Sequence, residues 1–364
     1  MKTSHVILSV LFICLILGGG AFAYYYYTQS GASSSVVSTT ASVQTTMQSS
    51  MVSATQSGPP ASLVLSTTTS TVDSGLLDYL LPYFESQYNV QVKVLSLGTG
   101  QALTVASHGD ADVVLVHSRK LELPFVAAGY GVHRVGVMYN DFIIVGPTTD
   151  PAGIAGTSNA TAAFLKIEQT AQQGISGVVF ISRADKSGTN TEELSIWSSI
   201  GITPSNKTYK WYVEAGAGMG TVLQMANQLK AYTLTDRATW LHFQSQLTNL
   251  IIMTQGSKNL LNPYAVIPVN ATMWPNRNYQ MALTFAKFLI SPQGQDLIGN
   301  YTVEGKPTFI PIARNITAAN ALGFPDQAKE LAWYDSVNPA NMASTTAATG
   351  VIVLATKYED WLVN

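Results

Sequence analysis

The sequence predicts an α/β protein of two lobes, each a mainly parallel sheet flanked by helices, joined by a two-strand hinge. Three observations carry this. From Ser62 onward, short apolar runs alternate with longer segments of helical period. The alternation comes in two series of similar length, divided near Pro147 and Pro151. Several of the turns after apolar runs are rich in Ser, Thr and Gly, as expected at the carboxyl ends of strands in open α/β sheets.

In chain order, Val64-Leu65 opens the first strand, and Leu76, Leu77, Leu80, Leu81 and Phe84 then make one helix face, with Pro82 as a kink point. Gln91 to Leu97 reads as a strand, Gly98-Thr99-Gly100 as a turn, and Val113 to Val116 and Phe142 to Val145 as buried strands. The second series has a strand at Val178 to Ile181, a helix at Thr189 to Ile200, a helix carried by Val222, Met225, Ala226 and Leu229, and a strand at Tyr232 to Thr235. Ala265 to Val269 is again a strand. Ala282, Phe285, Ala286 and Leu289 repeat the helical spacing, and Ser291-Pro292-Gln293 caps a further helix with Pro in its first turn. The chain is expected to cross between units near Gly146 and return near Pro263. That gives residues 62–146 with 264–332 as one lobe, 147–263 as the other, and 333–364 as a C-terminal extension without an assigned role.

Composition narrows the function. The 364 residues suit about two domains at roughly 150 residues each. Charged residues make up only 11%, against about 25% in soluble proteins. The net charge of -2 leaves no basic surplus for a polyphosphate backbone, which argues against nucleic-acid binding. Cys14 is the single cysteine and lies in an apolar N-terminal run, so thiolate metal sites and thiol catalysis are excluded from the rest.

Residues 1–27 form a signal sequence or an N-terminal membrane anchor. After Lys2 and His5 the chain is uncharged and largely apolar from Val6 to Ala23; it then reads either as a signal cleaved after Ala21-Phe22-Ala23 or as a span ending in the interfacial aromatics Tyr24 to Tyr27. Residues 28–61 are a Ser/Thr-rich linker without charge or apolar periodicity.

The polar elbows carry the functional reading. Thr67 to Thr71, Gly98-Thr99-Gly100 and Ser182 to Thr189 follow strands, and Gly216 to Thr221 precedes a helix. Each alone is an ordinary cap or turn. Together they offer more hydrogen-bond donors than capping requires, and Arg183 adds a fork of N–H groups, so helix N-termini aimed at one place would trap an oxyanion. No Gly-x-Ser-x-Gly elbow supports a hydrolase; of the histidines only His117 ends a strand near these turns, and it reads first as structural. Asp236-Arg237 reads as a helix cap or ion pair, and Asp112 as support for its strand.

The same residues resemble a known family, the tungstate-binding proteins of ABC transporters among the periplasmic-type solute-binding proteins. Thr67-Thr68-Thr69-Ser70 with Asp73 to Asp78, Gly98 to Leu103, Gly109 to Val113, Val116-His117, Gly129-Tyr130-Gly131, Met138 to Phe142, Val145-Gly146-Pro147, Ser187-Gly188-Thr189, Trp211-Tyr212, Gly218-Met219-Gly220 and Tyr232 to Arg237 are similar to its motifs over about Ser62 to Pro311. The resemblance implies a periplasmic-binding-protein type II fold and capture of tungstate or molybdate between the lobes. It also implies no cofactor, no resident metal and no catalysis, with delivery to a permease driven by a separate ATPase. Carried over residue by residue, Thr68, Thr69, Ser70, Thr99 and Gly100 would bind from the first lobe, and Arg183, Ser187, Gly188, Thr189, Met219 and Gly220 from the second. The chain departs from the pattern at Ala184, where the family motif has Gly, and at Asn190, where it has His. Phosphate is the competing ligand; it carries a proton and calls for a carboxylate acceptor, for which Asp73, Asp185 and Asp236 are candidates. A membrane-anchored hydrolase and a surface adhesin are the readings from other classes.

Overall fold

The computed structural model describes residues 60–338. The expectations for residues 1–27, for the linker up to residue 59 and for residues 339–364 lie outside the described residues. The first sheet begins with β1 (Ala61–Thr68), the one-turn α1 (Thr69–Asp73), α2 (Leu76–Tyr88), β2 (Val90–Leu97), α3 (Thr99–Ser107), β3 (Val113–Val116) and α4 (Arg119–Ala127). β4 (Val135–Pro147) leads to α5 (Ala160–Gln172), β5 (Phe180–Ser182), α6 (Gly188–Ser199), β6 (Tyr212–Glu214), α7 (Met219–Leu229), β7 (Thr233–Asp236), α8 (Arg237–Phe243) and β8 (Leu250–Thr254). β9 (Leu261–Pro268) returns to the first sheet. α9 (Tyr279–Ile290), α10 (Pro292–Asn300), the short β10 (Thr302–Val303), β11 (Lys306–Pro307) and β12 (Ile310–Pro311), then α11 (Ile316–Ala321) and α12 (Gln327–Ser336) follow; β12 joins the first sheet beside β4, and β10 and β11 pair with each other.

The alternation of side chains along the strands explains why both faces of each sheet are covered. On β3, Val113 and Leu115 join the apolar cluster with Leu63, Leu80 and Phe285, while Val114 and Val116 join the opposite one with Ala102, Phe125 and Ile267. On β4, Phe142 and Ile144 face Phe164 and Trp197, and Ile143 and Val145 face Met219 and Val222. Helices cover all four faces, which is the α/β architecture expected.

The sheets are mixed rather than mainly parallel. β1 pairs with β2 and β3, and β5 with β6, in parallel, but β9 runs antiparallel to β3 and β4, and β4 antiparallel to β7 and β8. The antiparallel strands are those that carry the chain between sheets, since an outgoing strand and a returning one lie side by side. β4 is paired with β9 from Val135 to Asp141 and with β7 from Phe142 to Val145. The exchange of partners thus falls at Asp141–Phe142, ahead of Gly146, because the apolar run Phe142 to Val145 already belongs to the second pair of clusters. Arg237 holds this point with a bidentate ion pair, Nε and Nη2 each 2.7 Å from an oxygen of Asp141.

Residues 333–336 form the last turn of α12, so the segment from Trp333 starts inside a packed helix. Tyr334 is fully buried and donates to the His133 carbonyl, and Trp333 stacks on the His133 ring. Among the described residues no helix is long and apolar enough to cross a membrane.

Candidate functional site

The elbows meet where the helices that follow the first sheet face those that follow the second. At the end of β1, Thr68 caps α1, its Oγ1 accepting the Thr71 N–H at 3.3 Å. Thr69 Oγ1 accepts from Arg183 Nη2 at 2.6 Å. Ser70 is fully buried with its hydroxyl 3.2 Å from His117 Nε2. After β2, Thr99 opens α3; its Oγ1 accepts the Gly188 N–H at 3.2 Å, and the Gly100 N–H donates to the Lys186 carbonyl at 3.2 Å.

On the other side, β5 ends at Ser182 and the loop to α6 carries Arg183, whose side chain is 1% exposed. Nη2 and Nε both reach Asp185 Oδ2, at 2.6 and 3.2 Å. This loop curls through two non-glycine residues at positive φ, Ala184 (49°) and Lys186 (57°), which brings the carboxylate back over the guanidinium. Ser187 caps α6 by accepting the Asn190 N–H at 3.1 Å. Buried Glu193 anchors the loop from beneath, accepting from Ser182, Asn190, Trp197 and Tyr212; burial pushes its carboxyl up to about 6.

Two glycines are required by close approach. A Cβ on Gly98 would lie 2.9 Å from the Asp185 carbonyl oxygen, and one on Gly188 would lie 2.7 Å from both His117 Nδ1 and its carbonyl oxygen. Each contact joins a first-sheet elbow to the second-sheet loop, so the backbones touch only because these side chains are absent.

The expected donors therefore come together, but many bind one another. Gly188, Gly100 and Gly220 spend their N–H groups across the seam, the last on Asp73 Oδ2 at 2.9 Å. The Met219 side chain is not at the seam at all: it is fully buried in the apolar cluster with Ile143, Ile181 and Val222, which leaves only its main chain. Among the described residues five buried side-chain groups have no hydrogen-bond partner, and two of them belong to these elbows, Arg183 Nη1 and Thr189 Oγ1.

The electrostatics are uneven. Arg183 is the buried cation, and Asp185, Asp73 and Asp236 lie within its field. Burial raises the Asp73 carboxyl despite the Gly220 N–H and Arg183. Burial pushes Asp236 up to about 6, against the N–H and hydroxyl of Thr239, which it caps. Burial and then Arg183 hold the His117 imidazole down to about 3, so it is neutral. The reading of His117 as structural thus misses its contact with Ser70. Asn140 and Asn262, which link it to Asp236, also escaped the sequence reading; the signal was a buried polar residue inside each of two apolar strands. No cluster of His, Cys, Asp or Glu able to hold a metal ion occurs among the described residues.

The arrangement defines a class: two groups of strands and helices that meet through complementary polar loops, with a buried cation between them. A profile of the PBP superfamily domain matches residues 36–293. A tungstate-binding protein of Peptoclostridium acidaminophilum is 46% identical over 257 residues, covering 68% of this chain and 84% of that protein. The tungstate-binding protein of Campylobacter jejuni is 36% identical over 245 residues, covering 66% of this chain and 87% of its own length. A crystal structure described as the tungstate ABC transporter from Geobacter sulfurreducens aligns at 50% identity with a TM-score of 0.59, over 66% of this chain and 98% of that one. The chain belongs to the tungstate-binding family of ABC-transporter solute-binding proteins, which are carriers of solutes and not enzymes.

Proposed function

We propose that this protein captures a tetrahedral oxyanion, tungstate, at the seam between its two sheets and delivers it to the permease of an ABC transporter powered by a separate ATPase subunit. The observation that carries the reading is the buried, unpartnered Nη1 of Arg183, on the loop that leads into α6, whose first turn carries the unpartnered hydroxyl of Thr189. A buried guanidinium nitrogen without a partner is costly, and an anion oxygen is the group that best repays it. The Thr68-Thr69-Ser70 elbow, Thr99-Gly100, Ser187-Gly188-Thr189 and the main chain at Met219-Gly220 would surround the ion. The latch bonds of Gly100, Gly188 and Gly220 hold the two sides closed.

The carboxylates favour a fully deprotonated ion over phosphate. Asp185 already accepts from Arg183 and the Ser187 N–H, and Asp236 from Thr239 and Asn140, so both are engaged as acceptors within the protein. Molybdate, of the same charge and shape, would be held by the same donors. The sheets act as lobes, hinged where β4 changes partner at Asp141–Phe142 and where the chain returns into β9. Function at the outer face of the cell membrane, by way of the N-terminal segment, completes the reading; intact mass of the native protein decides it, since a chain starting at Tyr24 would contradict an anchor. The binding test is calorimetric titration of the full chain with tungstate, molybdate, sulfate and phosphate at neutral pH. Tungstate at least 100-fold tighter than sulfate and phosphate is expected; a preference for phosphate overturns the ligand.

A further inference from the structure

Five side chains form one hydrogen-bonded row across the two strands that join the sheets, and its direction is set by the backbone. The Thr239 N–H donates to Asp236 Oδ1 at 2.9 Å, which holds that oxygen as an acceptor. Asn140 therefore presents its amide nitrogen to Oδ1 at 3.2 Å and its oxygen to Asn262, whose nitrogen donates at 2.8 Å. The Asn262 oxygen then faces His117 Nδ1 at 2.9 Å, so that nitrogen carries the imidazole proton. Asn140 and Asn262 are also register partners of β4 and β9, so the row passes through the crossing itself. A neutral ring has a bare Nε2, and Ser70 Oγ at 3.2 Å donates its proton there. The ring is neutral because it is buried with Arg183 nearby, Asp185 opposing more weakly.

Three other hydroxyls of the seam have the opposite polarity. Thr69 Oγ1 accepts from Arg183 Nη2, Thr99 Oγ1 from the Gly188 N–H, and Ser187 Oγ from the Asn190 N–H. In each the incoming N–H occupies a lone pair and the hydroxyl proton is uncommitted among the described residues. Thr189 Oγ1 has no partner there at all.

We propose that His117 is a positioning residue for ligand selection: through Asn262, Asn140 and Asp236 it takes the Ser70 proton out of the donor set, leaving Thr69, Thr99, Ser187 and Thr189 as the hydroxyls that donate to the oxyanion. The inference rests on the oxyanion reading above. Ser70 then serves the elbow through its main-chain N–H. Ligand selection thereby depends on residues in the hinge strands that touch no ligand.

The first test is nitrogen NMR of full-length protein in detergent, labelled at the histidine rings, with the His117 ring assigned through its backbone. A neutral ring protonated at Nδ1 at pH 7 is expected; protonation at Nε2 or a charged ring overturns the inference, and no variant has to fold for this answer. The second is titration with sodium tungstate. Ser70→Ala is expected to weaken binding by threefold or less and Thr69→Ala by tenfold or more, whereas the reverse order overturns the sorting of donors. A wild-type protein that binds none of the oxyanions would sink the oxyanion reading, and the NMR result would still decide the direction of the row.

Discussion

In the proposed site, Arg183→Ala removes the side chain on which both closure and the anion would depend. The guanidinium is 1% exposed, bridges to Thr69 across the seam and pairs with Asp185, itself only 13% exposed. Breaking a buried ion pair costs about 3–5 kcal/mol, and a hydrogen bond to a charged group contributes about 1.5–3 kcal/mol. Asp185 can turn partly to water, so the stability loss should sit near the low end of that range, about 3 kcal/mol. Binding loses the Nη1 contact and the buried positive charge together, about 2–4 kcal/mol; at 1.4 kcal/mol per tenfold this weakens tungstate by roughly 30- to 1,000-fold. Arg183→Lys keeps a charge but not the fork that serves Thr69, Asp185 and the anion at once, and should fall between. Calorimetry with tungstate, run beside thermal unfolding, separates the two effects. A folded Ala variant with wild-type tungstate affinity would refute both the site and the role of the unpartnered nitrogen.

Three other substitutions test the surrounding structure. Gly98→Ala places a methyl 2.9 Å from the Asp185 carbonyl across the seam, at a backbone angle any residue adopts; crowding of about 1–3 kcal/mol should weaken tungstate by roughly 5- to 150-fold, and unchanged affinity would mean the seam does not close on ligand. Ala184→Gly relieves a left-handed residue at φ 49°; against the added freedom of the unfolded chain the net gain is about 0.5 kcal/mol, seen calorimetrically as a melting point about 1 °C higher, and a lower one contradicts the strain. Asp236, raised to about 6, takes up its proton in the folded state before the unfolded chain does, so it favours folding as pH falls from about 6 to 4, by about 3 kcal/mol. His117, lowered to about 3, does the opposite and costs stability as pH falls below about 6.5. Asp236→Asn removes the first contribution alone, so urea unfolding at pH 6.5 and 4.5 should show a steeper loss in the variant; equal losses would mean the carboxyl titrates normally.

Much of the candidate site was legible because its chemistry is local. A cation placed directly after an apolar strand, as Arg183 follows Phe180 to Ser182, has few structural uses, and Ser/Thr elbows read directly as caps with surplus donors. Its partner was not legible as such: Asp185 reaches back only because Ala184 and Lys186 adopt left-handed conformations that neither residue type favours. The mixed sheet was hidden for a different reason. The apolar stretches of β4 and β9, Phe142 to Val145 and Ala265 to Pro268, are buried on both faces, the same pattern as parallel strands. Met219 followed the elbow motif, yet its side chain obeys the helical period of α7 and points into the core.

The row from Asp236 to Ser70 was beyond any local pattern, since Asn140 and Asn262 are 122 residues apart and meet only through the register of β4 on β9. On the proposed reading it would also account for how a chain with so little charge selects an anion. One buried cation faces three carboxylates, so net potential at the seam does not favour a dianion. In the proposed site, selection would come instead from which hydrogen-bond protons point inward and from how closely the two sides approach. The first is fixed by hydroxyls whose lone pairs are already occupied, and the second by Gly98 and Gly188, whose missing side chains let the loops touch. A geometry of that kind discriminates by the shape and protonation of the ion, a finer criterion than its charge.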